Sequence, residues 1–237
     1  MDWVIVVKAD LAKFADEERA QHSARFFQTQ PGGYGQGDRF LGIRVPDQRK
    51  IARKYYRDIP LEDVELLLQD AIHEHRLTAL LILTYKFEKT STIQRQAIVE
   101  LYLRNIPYIN NWDLVDTSAY KILGAYLFEV EDKSILYELA EAQNLWAQRI
   151  AMIATFYFIK HNEFDDALHI ATLLLDHEHD LIHKAVGWML REIGERDFQV
   201  EFAFLKAHYK DMPRVMLQYA IEKFEQELRQ AFRQHSI

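Results

Sequence analysis

Three segments set a tryptophan one helical turn from a charged side chain. Trp112 and Asp116 are four apart in Asn-Asn-Trp-Asp-Leu-Val-Asp (Asn110–Asp116), and Trp146 and Arg149 are three apart in Trp-Ala-Gln-Arg-Ile-Ala (Trp146–Ala151). Lys184, Trp188 and Arg191 fall four and then three apart in Lys-Ala-Val-Gly-Trp-Met-Leu-Arg-Glu (Lys184–Glu192). On a helix these spacings put each group on one face. A carboxylate there can stabilise a developing cation, and an indole face attracts positive charge by ~0.5–2 kcal/mol. Guanidinium groups can grip phosphate. The plainer reading is a core tryptophan beside a snorkelling charge, and it accounts well for any single pair. Three in succession fit it less easily.

Other chemistries find less support. The chain has no Cys, which removes disulfides, zinc–thiolate sites, iron–sulfur clusters and a Cys nucleophile, and fits a cytoplasmic protein. His73 and His75 are two apart and point to opposite sides of a helix. His179 and His183, with His177, Asp176 and Asp180 nearby, are better spaced but lack an HExxH motif or a third distant ligand, so no metal site is expected. There is no G-x-S-x-G elbow, and the glycines around residue 35 follow no predicted strand, which argues against a dinucleotide site.

A basic stretch runs from Asp38 to Asp58, with seven Lys or Arg against three Asp, a local balance of +4 in a chain of net −7. Arg49, Arg53 and Arg57 repeat at four-residue spacing, as do Lys50 and Lys54, which makes a cationic helix face after a Gly-rich loop. A solvated surface helix is one reading, and salt-sensitive phosphate contact is the other.

The elements that must carry these residues are helices. Five of the eight Gly lie between Gly32 and Gly42, and the rest of the 237-residue chain is nearly free of breakers. Apolar residues recur at three and four, as in Leu66, Leu67, Asp70, Ala71 and Glu74 and then Ala79, Leu80, Leu83 and Phe87, with no period-two alternation, so essentially no sheet is expected. Pro60 opens one helix, Asn111 is a candidate N-cap, and Asp176 or Asp180 starts a helix that Gly194 closes as a C-cap. A last long helix after Met212-Pro213 carries Ala220, Phe224 and Leu228. Arg76, Asp116, Arg149 and Arg191 recur at 40, 33 and 42 residues, each in the second helix of a pair. This approximates the ~40-residue unit of HEAT-type repeats. The expectation is an all-α, HEAT-like helical-repeat α-solenoid over 1–237, one repeat domain whose second helices line a concave surface where the Trp, Asp and Arg side chains converge.

At 49% hydrophobic and 27% charged, the composition belongs to a globular protein. The longest apolar stretch, Ile150 to Ile159, is half of what a membrane span needs, and Trp3 to Val7 is too short for a signal sequence, so no membrane association is expected. The acidic total argues against a general polyanion binder but leaves room for one basic face.

Together with Phe-Leu-Gly-Ile-Arg-Val-Pro-Asp (Phe40–Asp47), the three tryptophan segments resemble the DNA alkylation repair family, the AlkD-like DNA glycosylases, in order and spacing. The resemblance implies a helical-repeat protein that grips duplex DNA and excises N3- or N7-alkylated purines with no metal or organic cofactor. It places the catalytic cleft residues on Trp112, Asp116 and Trp188. Arg149 falls beside that cleft, with Arg191 following and Lys184 available for phosphate. Tyr34 matches an aromatic contact near the lesion, and Arg44, Arg49, Lys50 and Arg53 would meet the DNA backbone. Tyr157 and Leu181 stand where other members carry basic or aromatic DNA contacts. A monomer without strand-cleaving lyase activity is expected. The alternatives are a non-catalytic binder of DNA structures or a helical-repeat scaffold for protein interaction.

Overall fold

A computed structural model describes residues 2–234 and 236–237. Among the described residues there is no strand; the one extended pairing is an isolated parallel bridge between Arg39 and Ile72. No helix among them is long and apolar enough to cross a membrane. The chain divides into two compact units, Met1–Tyr126 and Leu127–Ile237.

In the first unit the helices are α1 (Trp3–Ala12), α2 (Glu17–Phe26), α3 (Val45–Tyr55), α4 (Leu61–Leu68), α5 (His73–Lys89), α6 (Thr92–Arg104) and α7 (Trp112–Ala119), followed by a π-helical turn at Tyr120–Gly124. After α8 (Ala125–Phe128), the second unit holds α9 (Ser134–Glu141), α10 (Leu145–Ala154), α11 (Phe156–Ile159), α12 (Asp165–Leu173), α13 (Asp180–Gly194), α14 (Phe198–His208), α15 (Arg214–Ala220) and α16 (Gln226–Arg233). Side-chain caps start several of them: Asp2, Asp16, Asn111, Asn144 and Asp197 each accept from an amide of the first turn. Such caps contribute about 0.5–2 kcal/mol apiece.

The all-α helical-repeat architecture expected from the spacing is present. α4 packs on α5, α9 on α10 and α12 on α13, while α6 packs on α5 and on the π-turn that continues α7. Arg76, Asp116, Arg149 and Arg191 lie on α5, α7, α10 and α13, the second helix of each pair. In the first unit α5 is the central helix, buried from His73 to Thr84 and packed against α3, α4, α6 and α7. In the second unit α13 holds that place against α10, α12, α14 and α15.

Three boundaries differ from the sequence reading. The run from Leu66 to Glu74 is broken at 69–72, where the Asp70 carboxylate takes the Ile72 amide at 2.7 Å and turns the chain. Gly194 is the last residue of α13 rather than its cap; it lacks a side chain because a Cβ would meet the Glu201 carboxylate. The helix after Pro213 is two helices, because Phe224 turns extended to bury its ring against Phe198 and Phe232.

Candidate functional site

In the first unit the site is built on α7. Asn111 caps it, its Oδ1 accepting the Trp112 amide at 2.9 Å. Trp112 and Asp116 follow one turn apart, both half-buried. The Trp112 ring stacks on Phe27 at 5.4 Å and meets Phe26 edge-on at 6.1 Å. Phe27 stacks in turn on Phe40 at 5.1 Å. Phe26 leaves 57% of its surface in solvent beside the indole. The Tyr34 hydroxyl donates to the Phe26 carbonyl at 3.2 Å, so the Gly-rich loop folds onto the end of α2 and brings Tyr34 to this aromatic group. Burial pushes the Tyr102 phenol up, and the negative charge of Asp116 adds to that shift.

Behind α7 runs a buried charge network. His73 Nδ1 lies 3.0 Å from Asp38 Oδ2 and its Nε2 lies 2.8 Å from Asp113 Oδ2. Arg76 donates to Asp38 at 2.7 Å and to Asn110 at 3.0 Å. Burial alone would drive the imidazole down, but Asp113 and Asp38 overcome it and raise its pKa to about 9. Burial pushes the Asp38 carboxyl up, yet His73 and Arg76 prevail and hold it below the usual carboxylate range. Each buried charge thus has a partner, as burial requires. Glu74 does a parallel job for the loop: its carboxylate accepts the amides of Leu41, Gly42 and Ile43 at 3.0, 2.7 and 3.2 Å. Gly42 sits at φ +75°, and a Cβ there would come within 2.1 Å of the Asp16 carbonyl. The Phe40–Asp47 segment is therefore a clasp that fixes Phe40 against His73 at 4.5 Å. A cleft of about 230 Å³ lies over this pair, lined by Phe27, Phe40, His73, Asp113, Arg19 and Arg44.

The basic stretch forms α3 with Arg44 just before it. Arg44, Lys50 and Arg53 are exposed and Arg49 is half-buried, and none of the four meets a carboxylate among the described residues. Lys50 lies 5.9 Å from the Phe14 ring and Arg53 5.7 Å from that of Tyr85. Lys54 is committed to Asp10 at 2.7 Å.

In the second unit Lys184, Trp188 and Arg191 occupy one stripe of α13, all half-buried. Trp188 donates its Nε1–H to Glu192 at 2.9 Å and tilts on Phe156 at 5.6 Å. Its neighbour Gly187 lets α15 approach: a Cβ would lie 2.4 Å from the Met216 carbonyl. Lys184 pairs with Asp180 at 2.6 Å and Arg191 pairs with Glu222. Trp146 and Arg149 go to the interior, and Arg149 donates to the Leu181 carbonyl in the first turn of α13. That turn is held by imidazoles: the His179 amide donates to His177 Nδ1 at 2.9 Å and the Leu181 amide to His179 Nδ1 at 3.1 Å. Tyr157 packs between Phe128 and His161.

The structure thus sets Trp112 and Asp116 one turn apart on α7, with Tyr34 joined to the Phe26 end of the aromatic group around Trp112. In the second unit it lines up Lys184, Trp188 and Arg191 on α13, with Arg149 bonded to the first turn of that helix. Sequence reasoning missed Phe26, Phe27, Asp38, Asp113 and the role of His73. The one signal was the charged turn His-Glu-His-Arg opening an otherwise apolar helix.

A sequence model of the DNA alkylation repair enzyme family matches residues 7–224. Among solved structures, an Enterococcus faecalis protein described as a predicted DNA alkylation repair enzyme superposes with a TM-score of 0.73 at 18% identity, over 90% of this chain and 97% of its own. AlkD2 from Streptococcus mutans gives a TM-score of 0.57 at 17% identity, over 88% of this chain and 99% of its own. No match was found among curated proteins.

Proposed function

This chain belongs to the DNA alkylation repair enzyme family, and on that premise we propose that it is a monofunctional glycosylase, which hydrolyses the N-glycosidic bond of N3- and N7-alkylated purines in duplex DNA. It acts as a monomer and needs no metal or organic cofactor. The observation that carries this reading is the Trp112–Asp116 pair, one turn apart and half-open to solvent on a helix whose first turn is locked by the Asn111 cap and the His73–Asp113 contact.

The chemistry asks little of the protein beyond electrostatics. An alkylated N3 or N7 gives the purine a formal positive charge, so the base already leaves readily and needs no proton from a general acid. As the bond to C1′ stretches, positive charge moves onto the sugar. A fixed carboxylate lowers the energy of that cation, as in glycoside hydrolysis. Asp116 supplies it, and also orients the water that attacks C1′. Trp112 offers its ring face to the cationic base or sugar, and in the second unit Trp188 on α13 carries an indole suited to the same attraction. Among the described residues Arg44, Arg49, Lys50 and Arg53 meet no carboxylate that they would have to give up before meeting phosphate. Lys184 and Arg191 would exchange Asp180 and Glu222 for phosphate oxygens. Arg149, buried on the Leu181 carbonyl, steadies the start of the helix that carries Trp188.

Neutral bases lack the leaving-group advantage. The protein should therefore release alkylated purines from methylated duplex DNA while leaving uracil and hypoxanthine in place, with free bases measured by chromatography. Release of uracil at a rate near that of the alkylated purines contradicts this electrostatic account. A protein that binds DNA and releases no base would be the non-catalytic binder.

A further inference from the structure

A second cleft in the first unit, of about 290 Å³, lies where the end of α3, the last turn of α5 and the start of α6 meet, away from α7. Arg57, Lys86 and Lys89 line it, with Tyr56, Thr90 and Gln94. Three cations share this hollow, and only one of them has a direct ion pair among the described residues. Lys89 pairs with the exposed Glu88 at 2.9 Å and feels Arg57 as a like charge. The Arg57 guanidinium lies 5.4 Å from the Tyr56 ring and gives its Nε–H to the Tyr56 hydroxyl at 3.0 Å, with no carboxylate on its other nitrogens among the described residues. Lys86 is half-buried and makes no hydrogen bond or ion pair among them; burial pulls its pKa down, and Asp58 opposes that only from a distance.

The end of α6 adds to this field. Ser91, at the N-cap position, places no side chain on the first amides of the 13-residue helix, and both it and Thr90 turn their hydroxyls to Gln94 instead. Those amides and the helix dipole favour an anion. Leu61 and Ile98 complete the lining as its apolar part.

We propose that this cleft binds a terminal phosphate dianion, whether inorganic phosphate, the monoester of a nucleotide or that of a 5′-phosphorylated strand end. With Lys89 paired to Glu88 and Asp58 acting on Lys86 only through space, the donors left without a carboxylate partner among the described residues are Arg57, Lys86 and the helix start. They attract a phosphate of about −1.5 to −2 more strongly than a backbone diester of −1. Three terminal oxygens also suit donors arriving from three elements. The inference does not depend on the repair reading, and a failure of base release would not touch it.

Calorimetric titration of the full chain with inorganic phosphate and with a nucleoside monophosphate, in a low-salt chloride buffer, tests it. The wild type should bind saturably, and Lys86→Gln and Arg57→Gln should each weaken binding about tenfold or more, the loss expected for one charge-assisted hydrogen bond. Thermal unfolding in phosphate-free buffer verifies that both variants fold, and Arg57, being exposed, keeps the test open should Lys86→Gln fail to. A duplex with and without 5′-phosphates separates the sources. Preference for the phosphorylated end, lost in both variants, assigns the cleft to strand ends; equal duplex binding beside tight nucleotide binding assigns it to a free ligand. No saturable phosphate binding by the wild type, or unchanged binding in both variants, overturns the proposal. So does weaker binding of the unphosphorylated duplex in the variants when inorganic phosphate does not bind at all.

Discussion

His73 is an imidazolium held between two carboxylates, and its protonation is part of the fold. Its pKa of about 9 exceeds the ordinary 6.5, so the folded state holds a proton that the unfolded chain releases. The stabilisation is complete below pH 6.5 and is lost as pH rises through about 9, which amounts to a few kcal/mol at most. Glu201 behaves alike for another reason: burial pushes its carboxyl up to about 8, Arg191 opposing and Glu195 adding, so it contributes most below pH 4.5 and least above 8. We therefore expect the urea midpoint to fall between pH 7 and 10. His73→Gln should lower stability at pH 7 and flatten the upper part of that fall. A wild-type midpoint that stays level over this range contradicts the assignment. None of this was legible beforehand, because His73 finds its partners 35 and 40 residues away, at Asp38 and Asp113. Trp112 and Asp116 could be read, since their relation is local and repeats one helical turn.

Elements are positioned by a few backbone devices. The clasp formed by Glu74 on the amides of 41–43 depends on Gly42, whose positive φ and contact with the Asp16 carbonyl leave no room for a methyl group. Gly42→Ala should cost about 2 kcal/mol or more, from backbone strain and displacement of α2 together. Gly32 also has positive φ but open space around it, so Gly32→Ala should cost about 1–2 kcal/mol from conformation alone. Denaturant midpoints compare the two, and equal losses would mean that the clasp adds nothing. Helix existence and pairing could be read from the scarcity of breakers and the spacing of Arg76, Asp116, Arg149 and Arg191. Helix ends were harder. The Asn111 cap carried its own local signal, whereas the break at Phe224 has neither Gly nor Pro and arises because distant Phe198 and Phe232 receive its ring. The His179 cap escaped notice because imidazole rarely takes that role.

Across the whole molecule, charge decides how the protein meets DNA. On the proposed contact through the stretch that concentrates +4 in a chain of net −7, duplex affinity should fall steeply with salt. Replacing Lys50 and Arg53 together with Ala should lower duplex affinity and reduce the slope of log affinity against log salt by about 2, one per phosphate contact. An unchanged slope removes α3 from the interface. In the proposed reaction the Asp116 carboxylate on α7 stabilises the positive charge that develops on the sugar. Asp116→Asn keeps the shape of that side chain and removes its charge, so the decisive measurement is the single-turnover rate of alkylated-purine release from methylated duplex DNA for this variant and the wild type, with binding measured beside it. Our account predicts a loss of about a hundredfold or more, the scale on which removal of one electrostatic stabiliser acts, with duplex affinity nearly unchanged. An Asp116→Asn protein that releases bases at the wild-type rate would contradict it.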